Sequence, residues 1–144
     1  MDRLPMSSEK SNAGFLRGEC LCRTVAYEVA DAFAYAANCH CSNCRRATGS
    51  AFKPFAGISR DRLRVVRGDH DLLIYGGSSA HDVHCRRCGS LLWSVVRDGA
   101  FVHVAMGTLT ETPSIRPTAH IFVGSRASWH QITDDLPQYV GHIT

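Results

Sequence analysis

Seven cysteines stand in three tight groups: Cys20-Leu21-Cys22, Cys39-His40-Cys41-Ser42-Asn43-Cys44 and Cys85-Arg86-Arg87-Cys88-Gly89. Thiols buried singly for packing would not cluster in this way, and in a reducing compartment they do not form disulfides, so metal ligation is the leading explanation. Structural zinc is closed by four protein ligands, whereas catalytic zinc keeps three and leaves one position for water or substrate; seven divides into four and three. Cys85-x-x-Cys88 before Gly89 has zinc-knuckle spacing, in which two thiolates from one tight turn reach the same ion and need two more. Cys20 and Cys22 are the available pair. They would tie an N-terminal strand end to a hairpin about 60 residues later, closing a long loop through a metal whose binding is coupled to folding.

Cys39-x-Cys41-x-x-Cys44 then places three ligands within six residues, compact enough to cap one face of an ion and leave the other open. Spacing alone also allows Cys20, Cys22, Cys39 and Cys41 against Cys44, Cys85 and Cys88. That grouping ranks lower because it splits the compact triplet.

Three thiolates on a divalent zinc sum to a net negative charge, which makes the ion a weak Lewis acid. Its water is harder to ionise than at all-histidine sites, where the pKa falls to about 7, and ordinary hydrolysis is not the first expectation. A soft thiolate suits the vacant position and stays electron-rich enough to attack an aldehyde carbon, so the expected chemistry lies at a substrate's sulfur. Arg45 and Arg46, directly after Cys44, could offset the negative charge or grip a substrate carboxylate with the planar guanidinium. Solvated helix arginines fit the spacing equally well. His40, if extended between two cysteines, points away from both and reads as a hydrogen-bonding group behind the ligands. His103 and His120 fall on strand candidates and read as satisfied core or rim residues; Trp93 and Trp129 read as packing, and Phe52, Phe55 and Phe122 as core walls.

The elements that must carry these residues are mainly strands. Thr24 to Ala30 alternates Val25, Tyr27 and Val29 against Ala26, Glu28 and Ala30, the pattern of a half-buried strand. Further strands are expected at Leu63 to Val66, Leu72 to Tyr75, Leu91 to Val96, Phe101 to Met106 and His120 to Val123, separated by Gly, Asp, Ser and Pro clusters. Two short helical turns are expected. One runs from Ser42 to Thr48, with Ser42 as cap and Gly49 as terminator, and the other is begun by Ser59 before Arg60-Asp61-Arg62-Leu63.

A chain of 144 residues with 44% hydrophobic composition suits one domain, and no repeat or interior linker argues for a second. A net charge of +3, nearly all of its positive part arginine, is too mild to imply nucleic acid. Met1 to Ala13 is polar, reads as a flexible tail and carries no export signal, and no run is long enough to span a bilayer, so a cytoplasmic location is expected.

Together the residues resemble the glutathione-dependent formaldehyde-activating enzyme family, also represented by centromere protein V. The resemblance rests on Gly18-x-Cys20-x-Cys22, Cys39-His40-Cys41-x-x-Cys44-Arg45, Thr48-Gly49-Ser50-Ala51-Phe52 and Cys85-x-x-Cys88-Gly89 with Trp93 downstream. It continues into His120-Ile121, Trp129 and Asp134-Asp135-Leu136-Pro137-Gln138-Tyr139. Arg23 stands where the family often has glycine, and His84 where an aromatic is common.

The resemblance implies a single-domain, tent-like antiparallel β fold over residues 14–144. It implies one structural zinc on Cys20, Cys22, Cys85 and Cys88, and one catalytic zinc on Cys39, Cys41 and Cys44. It also implies a carbon-sulfur lyase activity whose type reaction joins glutathione and formaldehyde reversibly into S-hydroxymethylglutathione. The partner is then a small thiol such as glutathione, with no membrane. The competing expectation is a non-catalytic zinc module that engages protein or nucleic acid, supported only by the arginine excess.

Overall fold

The structure, a computed structural model, describes residues 14–143; the tail expected at residues 1–13 lies outside them. Ten strands form two sheets among the described residues. Strands β1 (Phe15–Glu19), β2 (Ala26–Ala30) and β5 (Leu63–Arg67) make a three-stranded antiparallel sheet in the order β1-β2-β5. The other seven are β3 (Tyr35–Cys39), β4 (Lys53–Ser59), β6 (Leu72–Gly76), β7 (His81–Cys85), β8 (Leu91–Val96), β9 (Phe101–Ala105) and β10 (His120–Ile121), in the order β10-β3-β4-β9-β8-β7-β6.

The fold is mainly β, as expected, and its pairings are antiparallel except one: β10 runs parallel to β3, with Ile121 opposite Cys39. Among the described residues no helix is long and apolar enough to cross a membrane.

The strand expected around Tyr27 is present, but it is buried on both faces except at Glu28, since Ala26 and Ala30 are covered as well. Tyr27 and Val29 are fully buried while Glu28 reaches Arg64 at 2.7 Å. They join Leu16, Ile58, Val83, Trp93, Val95, Val102 and Val104 in the main core, which lies between the two sheets. Each such side chain contributes about 1.5–3 kcal/mol by leaving water. Tyr27 packs edge-on to Trp93 and bonds Thr108 Oγ1 through its hydroxyl at 2.7 Å. Gly18 faces Tyr27 so closely that a Cβ would sit 2.2 Å from the ring, which explains a glycine ahead of the first cysteine pair.

The seven-stranded sheet has a second face. Because side chains alternate along a strand, Ala37, Cys39 and Phe55 point away from the main core and, with Ile121, build a smaller cluster. Cys41, Cys44 and Tyr139 pack against it. The three-cysteine loop therefore sits on the outer face of the large sheet.

Four strands were not expected: β1, β3, β4 and β7. Their sequences FLRGE, YAANC, KPFAGIS and HDVHC carry Gly, Ala, Asn, Pro and Asp, all depleted in strands. Tertiary packing overrides that preference. In β4, Gly57 leaves room for the Tyr35 ring, where a Cβ would lie 2.3 Å from Cε1. Trp129, expected to pack, is 71% exposed.

Candidate metal centre

The Sγ atoms of Cys20, Cys22, Cys85 and Cys88 lie within 4.8 Å of one another, and those of Cys39, Cys41 and Cys44 form a separate cluster by the same measure. The alternative set of Cys44 with Cys85 and Cys88 is not formed among the described residues. All seven cysteines are free.

The four-cysteine cluster is built from two turns. Cys20 ends the first pair of strands, where Cys20 N donates to Val25 O and Arg23 N to Cys20 O. Cys85 ends β7, and the knuckle closes through Gly89 N donating to Cys85 O at 2.9 Å, with Gly89 at φ +80°. Main-chain amides aim at the sulfurs: Val25 N lies 3.3 Å from Cys20 Sγ, and Arg87 N and Cys88 N lie 3.3 and 3.5 Å from Cys85 Sγ. Such donors stabilise thiolate over thiol.

The hydroxyl of Ser90, 3.2 Å from Cys88 Sγ, lowers that thiol to a pKa of about 5, and Thr24 lowers Cys22 in the same way. Burial instead raises Cys85 to about 11. Cys20 and Cys22 sulfurs are 3.7 Å apart and Cys22 and Cys85 sulfurs 3.8 Å. Sulfurs 2.3 Å from a tetrahedral zinc are separated by about 3.8 Å, so the donor set fits that ion.

The three-cysteine cluster spans the end of β3 and the start of α1 (Ser42–Thr48). The helix is present as expected, but its cap is Cys41, whose sulfur accepts from Cys44 N at 3.2 Å. Gly49 terminates it at φ +63°, the left-handed conformation glycine adopts without strain. The Cys39 and Cys44 thiols act on one another in opposite senses: the neighbour lowers Cys39 and raises Cys44, whose burial adds to the rise while the Lys53 charge opposes it. Three soft donors, with no fourth Cys, His, Asp or Glu grouped with them among the described residues, suit a zinc with an open position.

Arg45 and Arg46 both lie in α1. Arg45 Nε donates to Ser125 O at 3.2 Å, and Arg46 is exposed.

Three features were not legible from spacing. His40 is fully buried, and its Nε2 meets His120 Nδ1 at 2.8 Å; His120 Nε2 in turn meets the Asp134 carboxylate at 3.0 Å. His120 is held from both sides, because β10 is flanked by the C-terminal segment through His120 N to Pro137 O and Tyr139 N to His120 O. Lys53, opposite Cys39 in the β3–β4 register, is buried, and its ammonium donates to Ser94 Oγ at 2.9 Å. The signal for it was a lone lysine among apolar residues in an arginine-rich chain. A cavity of about 370 Å³ lies between α1 and the knuckle, with Phe52 on its wall.

The family model described as glutathione-dependent formaldehyde-activating enzyme matches residues 15–125. A crystal structure of a Rhodobacter sphaeroides protein is similar, at 32% sequence identity and a TM-score of 0.58, covering 69% of this chain and 92% of that one. No curated protein matches.

Proposed function

The chain belongs to the glutathione-dependent formaldehyde-activating enzyme family, and from that premise we propose that it is a zinc-dependent carbon-sulfur lyase acting on the adduct of a small aldehyde with a glutathione-like thiol. The observation that carries the reading is the trio Cys39, Cys41 and Cys44, whose sulfurs converge with no fourth ligand among the described residues while a separate set of four is complete. On this reading residues 14–144 work as one domain holding two zinc ions, one structural and one catalytic. Seven free thiols favour a reducing, cytoplasmic setting.

When bound by Cys39, Cys41 and Cys44, zinc supplies a soft Lewis-acid position that favours the thiolate form of a substrate thiol. The chain's own residues do the rest. The Cys44 N–H on Cys41 Sγ and the cap geometry of α1 fix the ligand loop, so that the donors need no rearrangement as substrate arrives. His40, locked to His120, stiffens the backbone between two ligands. Arg45 and Arg46 place positive charge beside the centre, which favours the approach of an anionic thiol. Addition of the substrate thiolate to the aldehyde carbon forms the C–S bond as the C=O π bond opens, and the oxygen takes up the proton that the thiol released; the reverse step cleaves the C–S bond and restores the carbonyl and the thiol.

The test is kinetic. Zinc-loaded protein mixed with glutathione and carbon-13 formaldehyde should form S-hydroxymethylglutathione faster than the spontaneous reaction, as followed by NMR. Fully loaded protein that leaves the rate unchanged and binds no small thiol by calorimetry would remove the proposal. Nucleic-acid affinity that survives moderate salt would favour an interaction module instead.

A further inference from the structure

The cavity between the C-terminal half of α1 and the knuckle has walls from Ala47, Thr48 and Phe52, which follow Cys44 in the chain, and from Cys88 and Leu91. Its volume of about 370 Å³ is within the range of small-molecule sites. Lys53 is the only basic side chain on its lining among the described residues. Arg45 and Arg46 are not part of it.

Lys53 is 5% exposed, a rare state for a lysine without a paired charge. Its ammonium donates to the Ser94 hydroxyl at 2.9 Å, and Ser94 donates to Asp82 Oδ1 at 2.6 Å. The carboxylate is thus reached only through a neutral hydroxyl, and an ammonium with three protons keeps capacity for an anionic acceptor. A buried cation held this way is costly unless something negative completes it. The register fixes its address: Lys53 stands directly opposite Cys39, on the same face of the sheet as Cys39 and Phe55.

We infer that this cavity receives the non-reacting end of the thiol substrate and that Lys53 Nζ binds the substrate's carboxylate there, an assignment that rests on the thiol chemistry proposed for Cys39, Cys41 and Cys44. A single ammonium in a small, largely apolar recess matches one carboxylate. It gives the enzyme a reason to prefer a carboxylate-bearing thiol over a neutral one of similar size.

Calorimetry on the zinc-loaded full chain tests this with two probes, glutathione and its diethyl ester. Wild type should bind glutathione about 10- to 100-fold more tightly than the ester, the range for a hydrogen bond to a charged group. Lys53→Met should lose that preference while keeping its zinc content and its affinity for the ester, and Lys53→Arg should restore part of it. A Lys53→Met protein that keeps the full preference overturns the assignment and leaves the thiol chemistry standing. Wild type that binds neither probe overturns the thiol reading itself.

Should Lys53→Met fail to fold, the nitrogen-15 resonance of the Lys53 ammonium in wild type carries the test. It should shift with glutathione and stay in place with the ester. No shift on saturation with glutathione would overturn the assignment.

Discussion

Nε2 of His40 lies 2.8 Å from Nδ1 of His120, and both rings are buried. The Asp134 carboxylate accepts from His120 Nε2, which leaves His120 Nδ1 as the acceptor for His40 Nε2–H. Asp134 is held below the usual carboxylate range by that hydrogen bond. His40 Nδ1 is then a buried acceptor with no partner among the described residues. Burial holds the His40 pKa down to about 4, so the ring is neutral near pH 7.

His120→Ala removes the partner of a buried N–H located between two candidate ligands. It should cost about 1–3 kcal/mol of stability. It should also weaken zinc at the three-cysteine site about 10- to 100-fold, the usual effect of losing a group that orients ligands. The four-cysteine site should be unaffected. Chelator competition that resolves the two zinc ions checks this; equal weakening of both would contradict it.

Arg23 occupies a left-handed backbone position at φ 68°. A side chain there costs about 1–2 kcal/mol, against about 0.5–1 kcal/mol for the extra chain entropy of glycine. The side chain recovers little, since its ion pair with Glu19 at 3.7 Å is exposed, and the anchoring bonds from Arg67 go to the Arg23 carbonyl. Arg23→Gly should therefore stabilise the protein by about 0.5–1 kcal/mol in urea denaturation. A loss of stability would show that the arginine side chain holds the turn.

His103 stacks on Phe55 with ring centroids 4.2 Å apart, and its Nε2 bonds the Tyr35 hydroxyl at 2.8 Å. Burial, helped by the charges of Lys53 and Arg97, lowers its pKa from 6.5 to about 3. The unfolded chain therefore takes up this proton first, so between about pH 6.5 and pH 3 the residue makes stability fall as pH falls. Its share of the slope is at most about 1.4 kcal/mol per pH unit. His103→Gln keeps an acceptor for Tyr35 and should lose less stability than wild type between pH 7 and pH 5. Identical losses would contradict the neutral, half-buried assignment.

How much the sequence revealed follows from range. Cys85-x-x-Cys88-Gly89 and Cys39-x-Cys41-x-x-Cys44 are local patterns whose geometry is set by a single turn, and Gly49 likewise ends α1 where expected. Leu91–Val96 was legible because five of its six residues are apolar, with only Ser94 interrupting them. Lys53–Ser59 was not, because Gly57 and Pro54 are tolerated only through packing against Tyr35 and pairing with β3 and β9. His120 looked like a strand residue, and nothing local in the chain could show that it meets His40 eighty positions earlier. Lys53 and Ser94 are joined in the same way, across 41 residues.

The most direct test of the open three-sulfur centre is zinc X-ray absorption on fully loaded protein, with and without glutathione. The average sulfur count per zinc should rise from about 3.5 to about 4 as the thiol fills the vacant position. A count already at four without thiol, or one that glutathione leaves unchanged, would contradict the account.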